Sequence, residues 1–233
     1  MRVGRSFRVG GIVMLAATAA AFALPVSTSA NVGYSWNPAV AVSPTFESAG
    51  EPKAAIDADG DVAVVWENHT SAYHTNIELS RKLAGGPFSA PLTIDEAPGQ
   101  NRSPAIAIGP EGQVLVAWTS DADTEYEARE LVMASTGSIA GGQFSAPEAI
   151  SAYEGGHGFM HPRVAIAESG EAIAFWRGLD ERTHYTERAP SDTHFAAPRA
   201  INGQGTLVFS PNGTALAAWG EGEGLAAHLV TAV

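Results

Sequence analysis

Apolar residues occupy both odd and even positions in short segments that each end at a tryptophan. In Val62–Trp66 and Val114–Trp118, side chains of both parities are apolar. A strand with two apolar faces is expected to be buried on both faces. A turn containing glycine precedes each segment, and glycine permits the left-handed backbone that a tight hairpin requires. Each segment therefore predicts the second strand of a hairpin.

These hairpins recur with a fixed spacing. A glycine lies six residues before each tryptophan, and in the first three copies a proline lies fourteen residues before it. The glycines and tryptophans are Gly60, Gly112, Gly170, Gly213, Trp66, Trp118, Trp176 and Trp219. Such spacing is typical of repeat proteins. We expect the tryptophans to be buried between consecutive repeats rather than to line a ligand site.

Two more strands are predicted after each of the first three tryptophans, and one after the fourth. The third-strand candidates are Ile77–Leu83, Glu130–Ser135, His184–Ala189 and Leu225–Val230. The outer-strand candidates place an aromatic residue six positions before an isoleucine, with a proline between them, and are Phe88–Ile94, Phe144–Ile150 and Phe195–Ile201. Proline lacks the donor that a central strand needs, so these segments are expected at sheet edges.

The recurring set of four strands predicts an all-β chain, a β-propeller of about four blades of four antiparallel strands. The repeats span approximately 44–95, 96–151, 152–202 and 203–233. The fourth repeat lacks an outer strand, whereas Trp36–Val42 places an aromatic residue six positions before a β-branched one. We expect residues 34–43 to complete the last blade, which closes the ring and removes its exposed sheet edges. The alternative is an open arc that dimerises or belongs to a larger ring.

The first thirty residues have the features of a secretory signal. Arg2, Arg5 and Arg8 form a basic start, Gly10–Leu24 is apolar, and Thr28–Ala30 offers small residues for cleavage. We expect 1–30 to be removed and 31–233 to form one propeller domain, secreted or in the bacterial cell envelope. A retained membrane anchor is the alternative. No other apolar run reaches membrane length, so no membrane span is expected after cleavage.

Charge and cysteine content narrow the class of protein. The chain has 13 basic and 25 acidic residues, a formal net charge of −12, and no cysteine. Phosphate binding depends on clustered lysine and arginine, so nucleic acid is not expected as a partner. An exported chain without cysteine must be stabilised by packing without disulfide bonds.

The repeat resembles a known class of exported proteins. The Pro…Ala…Gly…Trp block, followed by Ala-Gly-Gly-x-Phe at Ala84–Phe88 and Ala140–Phe144 and then by Ser-Ala-Pro, is similar to repeats of uncharacterised secreted bacterial β-propeller proteins, loosely grouped with sialidase-like propellers. The resemblance covers nearly all of the chain after the signal. The Asp-box of true sialidases places the tryptophan three residues after the glycine and is absent here. The resemblance therefore implies the fold and export, and no catalytic residue.

The loops that leave the second strand and enter the first strand of each blade share one face of a propeller. Polar residues gather in these loops, whereas the opposite face has mostly short glycine turns. Binding residues commonly lie on loops that a rigid scaffold holds in place. The candidate ligand-binding residues are Glu51, Glu67, His69, Arg102, Asp121, His161, Arg177 and Arg182.

Other motifs do not indicate a metal, a cofactor or a nucleophile. His157 and His161 lie in a loop rather than on one helix face, so their spacing does not indicate zinc. Asp57, Asp59 and Asp61 resemble the start of a calcium loop but lack its final glutamate, and a hairpin turn is the favoured interpretation. The chain has no Gly-x-Ser-x-Gly, P-loop or cysteine nucleophile.

Two functions fit these features. The first is a binding module that presents its acidic, loop-rich face to a glycan, a peptide or an envelope protein, and that is monomeric if the ring closes. The second is a polysaccharide hydrolase or lyase, which needs two carboxylates facing each other, for which Glu51, Glu67 and Asp121 are the candidates. Binding is favoured because a fold alone does not imply catalysis.

Overall fold

The computed structural model describes residues 38–44, 48–121, 129–152, 154–155, 160–201, 205–209, 215–221 and 228–232. Every regular element in these ranges is a β-strand, which confirms the all-β prediction. In chain order the strands are β1 (Ser48–Ile56), β2 (Val62–His69), β3 (Thr75–Lys82), β4 (Leu92–Asp95), β5 (Gln100–Ile108), β6 (Gln113–Asp121), β7 (Arg129–Ser138), β8 (Glu148–Ala149), β9 (Glu154–Gly155), β10 (Arg163–Ile166), β11 (Ala172–Arg177), β12 (Thr183–Arg188), β13 (Arg199–Ile201), β14 (Gly205–Phe209), β15 (Ala215–Glu221) and β16 (His228–Ala232). The predicted signal, residues 1–30, lies outside the described residues.

The strands form four antiparallel meanders. The first meander is β1–β4, the second β5–β8, the third β10–β13 and the fourth β14–β16. A single parallel pairing, between Thr75 and Gln100, joins the first two meanders into one sheet, and the short β9 pairs with β7. The first strands contact one another in chain order, β1 with β5, β5 with β10 and β10 with β14.

Glycine ends the turn between the first and second strands of three meanders. Gly60, Gly112 and Gly170 have φ values of 87°, 74° and 82°, in the left-handed region that residues with a Cβ disfavour. In the first turn the Asp57 carboxylate accepts hydrogen bonds from the backbone N–H groups of Asp59 and Asp61, at 3.0 and 2.9 Å. The Asp57–Asp61 segment is thus a hairpin turn whose lead carboxylate is used internally. The corresponding Gly213 lies outside the described residues.

The second strand of the second meander, β6, is buried on both faces, between the first and the third meander. The apolar cluster between the first two meanders contains Ala63, Val65, Ile77, Leu79, Ile94, Val114, Val116, Trp118 and Ile139. The next cluster contains Leu115, Ala117, Val132, Ala134, Ile150, Met160, Ala172, Ala174 and Trp176. Because β6 sends alternate side chains into the two clusters, the sequence-based prediction of two-sided burial is confirmed there. Trp66, Trp118 and Trp176 are 2%, 0% and 2% exposed, as predicted. The side chain of Trp219 is outside the described part.

The outer strands are shorter than predicted. Phe88–Ile94 forms a strand only from Leu92, and Phe195–Ile201 only from Arg199. Before the proline, each segment is attached to the third strand by a hydroxyl group. Ser80, Ser135 and Thr186 donate to the carbonyl oxygens of Ser89, Ser145 and Ala196, at 2.8, 2.7 and 2.5 Å. The backbone N–H groups of Ser89, Ser145 and Ala196 also donate to carbonyl oxygens of the third strands. One backbone bond and one hydroxyl group therefore attach each outer segment before the proline, which itself has no N–H to donate.

Arginine side chains connect neighbouring meanders at their outer ends. The Arg81 guanidinium of the first meander donates to the carbonyl oxygens of Ser138 and Gly142 in the second. It also lies over the Phe144 ring, 5.7 Å from the ring centroid. Burial lowers the pKa of Arg81 below its usual value. On the other side, Arg188 of the third meander donates to the Thr136 hydroxyl at 3.2 Å.

The predicted closing strand, Trp36–Val42, is only partly described. Trp36 lies outside the described residues, and residues 38–42 form no regular strand. Val42 and Ser43 nevertheless line a cavity of about 210 Å³ together with Val64 and Trp66 of β2. Val64 and Trp66 correspond to Val116 and Trp118 of β6, whose side chains pack against the first meander. The end of the predicted closing segment, Val42 and Ser43, therefore lies beside the corresponding face of β2.

No helix in the described ranges is long and apolar enough to cross a membrane.

Candidate functional site

A β-bulge interrupts the first strand of two meanders at the same place relative to the tryptophan. In β1 the pairing passes from Gly50↔Glu67 to Lys53↔Val65, so that Glu51 and Pro52 together oppose Trp66. In β5 it passes from Arg102↔Thr119 to Ala105↔Ala117, and Ser103 and Pro104 oppose Trp118. Bulges redirect side chains and are frequent beside binding and active sites.

The third meander repeats this arrangement with His161 and Pro162. The Met160 carbonyl accepts a hydrogen bond from the Arg177 N–H at 3.3 Å, and Arg163 pairs with Phe175. Two residues, His161 and Pro162, thus lie opposite Trp176. The corresponding residue of the fourth repeat, Gln204, is outside the described residues.

The residue before each bulge proline has a left-handed backbone. The φ values are 45° for Glu51, 52° for Ser103 and 40° for His161. A residue before proline normally adopts an extended conformation, and the left-handed one costs a non-glycine residue about 1–2 kcal/mol. Strain of this kind persists where the surrounding fold enforces it, and it is concentrated at functional sites. Here it occurs at three corresponding positions with three different side chains.

The three bulges open into one concavity of about 680 Å³, which we call the bulge pocket. Its walls are the starts of β1, β5 and β10, which lie side by side. The bulge residues Glu51, Ser103 and His161 line it, followed two positions along each strand by Lys53, Ala105 and Arg163. The residues three positions after each bulge residue, Ala54, Ile106 and Val164, also line the pocket. Pro104 and Pro162 complete the described lining. The volume is within the range of about 300–1,000 Å³ that is usual for ligand sites.

The charge of the bulge pocket differs from that of the chain. Its described lining has two cations, Lys53 and Arg163, and one carboxylate, Glu51. The Lys53 ammonium lies 3.1 Å from a Glu51 carboxylate oxygen. Within the described residues Arg163 has no ion-pair partner. The pocket therefore has a cationic side in a protein whose net charge is −12.

Glu67 supports a bulge and does not line the pocket. Its side chain is buried, with 7% exposed, and one carboxylate oxygen accepts a hydrogen bond from the Ser103 backbone N–H at 2.7 Å. The other oxygen lies 3.4 Å from Nε2 of His69. The carboxylate thus holds the strained bulge residue of the next meander, which the sequence alone did not indicate.

The remaining sequence candidates lie outside the lining of the bulge pocket. His69 is at the end of β2, where its Nδ1 is 3.2 Å from the Thr75 hydroxyl. Arg102 is half-buried on β5 directly before Ser103, and Asp121 is the last residue of β6. Arg177 is exposed at the end of β11, 3.5 Å from Glu181, and Arg182 is exposed in the following turn. Of the eight candidates, Glu51 and His161 are the two brought together in the pocket.

The turn after β11 has its own electrostatic pair. Nε2 of His184 lies 2.9 Å from an Asp180 carboxylate oxygen, and the His184 ring stacks on Trp176 with centroids 6.0 Å apart. Partial burial opposes ionisation of Asp180, but hydrogen bonds from His184 and from the Arg182 backbone outweigh it and lower the pKa of Asp180. The ionised Asp180 carboxylate therefore stabilises this turn.

Three polar residues of the described lining were not among the sequence candidates. Ser103 occupies the same pre-proline position as Glu51 and His161, and Lys53 and Arg163 follow that position by two residues in their repeats. Comparing the residues that precede each proline would have identified Ser103. The two cations were missed because the bulge, which changes the direction of the following residues, is not visible in the sequence.

No group of three or more His, Cys, Asp or Glu side chains suited to a metal ion is found in the described part of the chain. His157, considered above as a ligand, lies outside it.

Comparisons with known proteins give distant structural likenesses. No family model and no curated protein matches the chain. One similar solved structure is a protein of unknown function from Dyadobacter fermentans, with 11% identity, a TM-score of 0.39 and 77% of each chain covered. Another is a variant of fructan 1-exohydrolase IIa from Cichorium intybus in complex with 1-kestose, with 13% identity and a TM-score of 0.41. That likeness covers 72% of this chain and 39% of the enzyme. Likenesses this distant assign neither a family nor an activity.

Proposed function

We propose that this protein is an exported, four-bladed β-propeller that binds a glycan in the bulge pocket without transforming it. The observation that supports binding is the convergence of three strained pre-proline residues, Glu51, Ser103 and His161, on one concavity. A concave site with apolar walls and a few convergent polar groups suits a small ligand or a glycan chain better than a flat protein surface. The prolines together with Ile106 and Val164 supply those walls.

The position of Val42 and Ser43 supports a closed ring of four blades. Ile94 and Asp95 end the outer strand of the first meander, and the Trp118 indole N–H donates to Asp95 at 3.1 Å. Val42 and Ser43 are their counterparts in the predicted closing strand, and they line a cavity with Trp66, the counterpart of Trp118. This correspondence supports the proposal that the N-terminal segment serves as the outer strand of the fourth blade in a closed ring.

The described carboxylates favour binding over hydrolysis. A glycosidase needs two carboxyl groups about 5–10 Å apart on either side of the bond that it cleaves. Glu51 is the one carboxylate in the described lining of the bulge pocket, and it pairs with Lys53. Glu67, the other nearby candidate, is buried and bonded to the Ser103 backbone. Both carboxylates thus have structural partners, which supports binding rather than hydrolysis.

A panel of oligosaccharides tests the binding function. The purified protein is titrated with neutral, amino and acidic oligosaccharides by isothermal calorimetry, and Ser103→Ala/His161→Gln is compared with Asp192→Asn. Asp192 is exposed and is not part of the described pocket lining. We expect at least one saturable ligand whose affinity falls tenfold or more in the double variant and stays unchanged in the control. Absence of saturable binding across the panel, or equal affinities of all variants, would contradict the proposal.

Export is tested separately by N-terminal sequencing of the protein recovered outside the cytoplasm. We expect its sequence to begin at or near Asn31, and an intact Met1 in that fraction would contradict cleavage.

A further inference from the structure

We infer that the ligand of the bulge pocket bears a carboxylate group, which Lys53 and Arg163 bind. This inference rests on the proposed function, because it specifies the chemistry that the same pocket recognises. The two cations occupy corresponding positions, each two residues after a bulge residue, on β1 and β10. Both strands contact β5, which lies between them. The cations therefore flank the part of the pocket floor that β5 provides.

The floor between the two cations is small and carries a hydroxyl group. Ala105 occupies the position on β5 that Lys53 and Arg163 occupy on their strands, and Ser103 precedes it at the bulge. A methyl side chain at this position leaves space between two long cationic side chains. Ser103 offers a hydroxyl donor from the same strand. An ammonium, a guanidinium and a hydroxyl around one space form a donor set suited to a carboxylate, which accepts hydrogen bonds and has no donor when ionised.

The two cations are placed differently with respect to their neighbours. Lys53 lies 3.1 Å from Glu51, so its positive charge is partly balanced within the pocket. Arg163 is exposed, and its backbone is fixed by pairing with Phe175 while no described residue forms an ion pair with its guanidinium. Arg163 is therefore the main anchor for an anion, and a planar guanidinium binds a carboxylate through two parallel hydrogen bonds.

The net charge of −12 makes this cationic side selective. An acidic protein repels polyanions in general, so an anion is retained only where local cations outweigh that repulsion. Ile106 and Val164 give the same pocket apolar walls against which a carbon skeleton packs. Both a uronic-acid oligosaccharide and a free organic acid have the required carboxylate.

The test compares three probes on the purified protein by isothermal calorimetry at low and moderate salt. The probes are trigalacturonate, a neutral galactose trisaccharide and tricarballylate. We expect trigalacturonate to bind, the neutral trisaccharide to bind at least tenfold more weakly, and added salt to weaken the acidic probe alone. Binding of tricarballylate at comparable affinity identifies the carboxylate itself as the recognised group, and preference for trigalacturonate shows that the sugar rings contribute.

Matched variants locate the interaction. Arg163→Gln is expected to reduce the affinity for trigalacturonate at least tenfold and to weaken, without abolishing, its salt dependence, because Lys53 remains. The control is Arg199→Gln, which removes one exposed cation outside the described pocket lining, 3.9 Å from Glu187. Circular dichroism and thermal unfolding establish that both variants are folded.

Equal binding of the neutral and acidic trisaccharides, unchanged in Arg163→Gln, would overturn the carboxylate inference and leave the glycan-binding function standing. No binding of any saccharide, here or in the wider panel, would overturn both.

Discussion

The buried tryptophans offer a test of how one hydrogen bond stabilises the contact between two meanders. Trp118 is fully buried, and its indole N–H donates to the Asp95 carboxylate of the first meander at 3.1 Å. Trp66 and Trp176 are buried to the same extent, but their indole N–H groups have no hydrogen-bond partner among the described residues. Replacing each tryptophan with phenylalanine removes similar packing in all three cases, whereas only Trp118→Phe removes a hydrogen bond to a charged group.

The expected difference follows from these contacts. A hydrogen bond to a charged group contributes about 1.5–3 kcal/mol, and its loss leaves the 7% exposed Asp95 with one fewer donor. Trp176→Phe instead removes a buried N–H that has no partner in the described part of the chain, which offsets part of its packing loss. We expect Trp118→Phe to reduce the free energy of unfolding by about 1.5–3 kcal/mol more than Trp176→Phe does. Trp66→Phe is the second control, because the Trp176 ring also stacks on His184.

Urea unfolding followed by circular dichroism measures this difference. If the free energy of unfolding falls by about 2 kcal/mol per molar urea, the expected difference between the two variants separates their unfolding midpoints by on the order of 1 M. Asp95→Asn keeps an acceptor but removes the charge, so Trp118→Phe should cost about 1 kcal/mol less in the Asp95→Asn background. Equal costs for Trp118→Phe and Trp176→Phe, with no coupling to Asp95, would refute the assignment of this bond as a stabilising contact.

Three further substitutions address other contacts. Glu67→Ala leaves the partly buried Ser103 N–H without its acceptor and should lower the free energy of unfolding by about 1–2 kcal/mol in urea titrations, whereas an unchanged midpoint would show that the bulge does not depend on it. Arg81→Met removes the donors to two carbonyl oxygens of the second meander and should cost about 2 kcal/mol, with Arg199→Met nearly neutral as its control. Asp180→Asn should lower stability at pH 7 by on the order of 0.5 kcal/mol, since its partly exposed pair with His184 is screened by solvent. Because the pKa of Asp180 is lowered in the folded state, this contribution is present above about pH 4 and disappears as the pH falls through the folded pKa, so melting temperatures that differ equally at pH 7 and pH 2.5 would contradict it.

The sequence was sufficient for elements that depend on local patterns. Apolar residues of both parities in Val114–Trp118 predicted burial on two faces, and the structure divides those side chains between two clusters. Glycine six residues before each tryptophan predicted left-handed turns, which the φ values of Gly60, Gly112 and Gly170 confirm. The outer strands were predicted too long because the aromatic–proline–isoleucine spacing does not show where the backbone pairing begins. A single backbone bond precedes the proline, and the regular strand begins after it, as at Leu92.

The pocket depends on contacts between strands, which the sequence does not display. Glu51 and His161 were selected because they are polar residues in the loops before a first strand, and they do lie in the pocket. Their role in binding stays a prediction. Glu67 was selected for a similar reason, yet the N–H of Ser103, 36 residues away in sequence, makes it a buried support. Whether such a polar residue lines the pocket or supports a bulge depends on how one meander packs against the next, which the sequence does not show.

A comparison of corresponding positions in the first three meanders distinguishes side chains that are fixed by packing from side chains that are not. Opposite each bulge the residue is tryptophan, because the space between meanders requires one large apolar side chain. At the bulge itself the backbone is equally uniform, with φ between 40° and 52°, but the side chains are glutamate, serine and histidine. Two residues further they are lysine, alanine and arginine. If these side chains served the fold, the uniform backbone would favour one residue type there, as it does for tryptophan. Their differences instead place an acid, a hydroxyl, an imidazole and two cations around one concavity, an asymmetric surface built on a regular scaffold, as recognition of an asymmetric ligand requires.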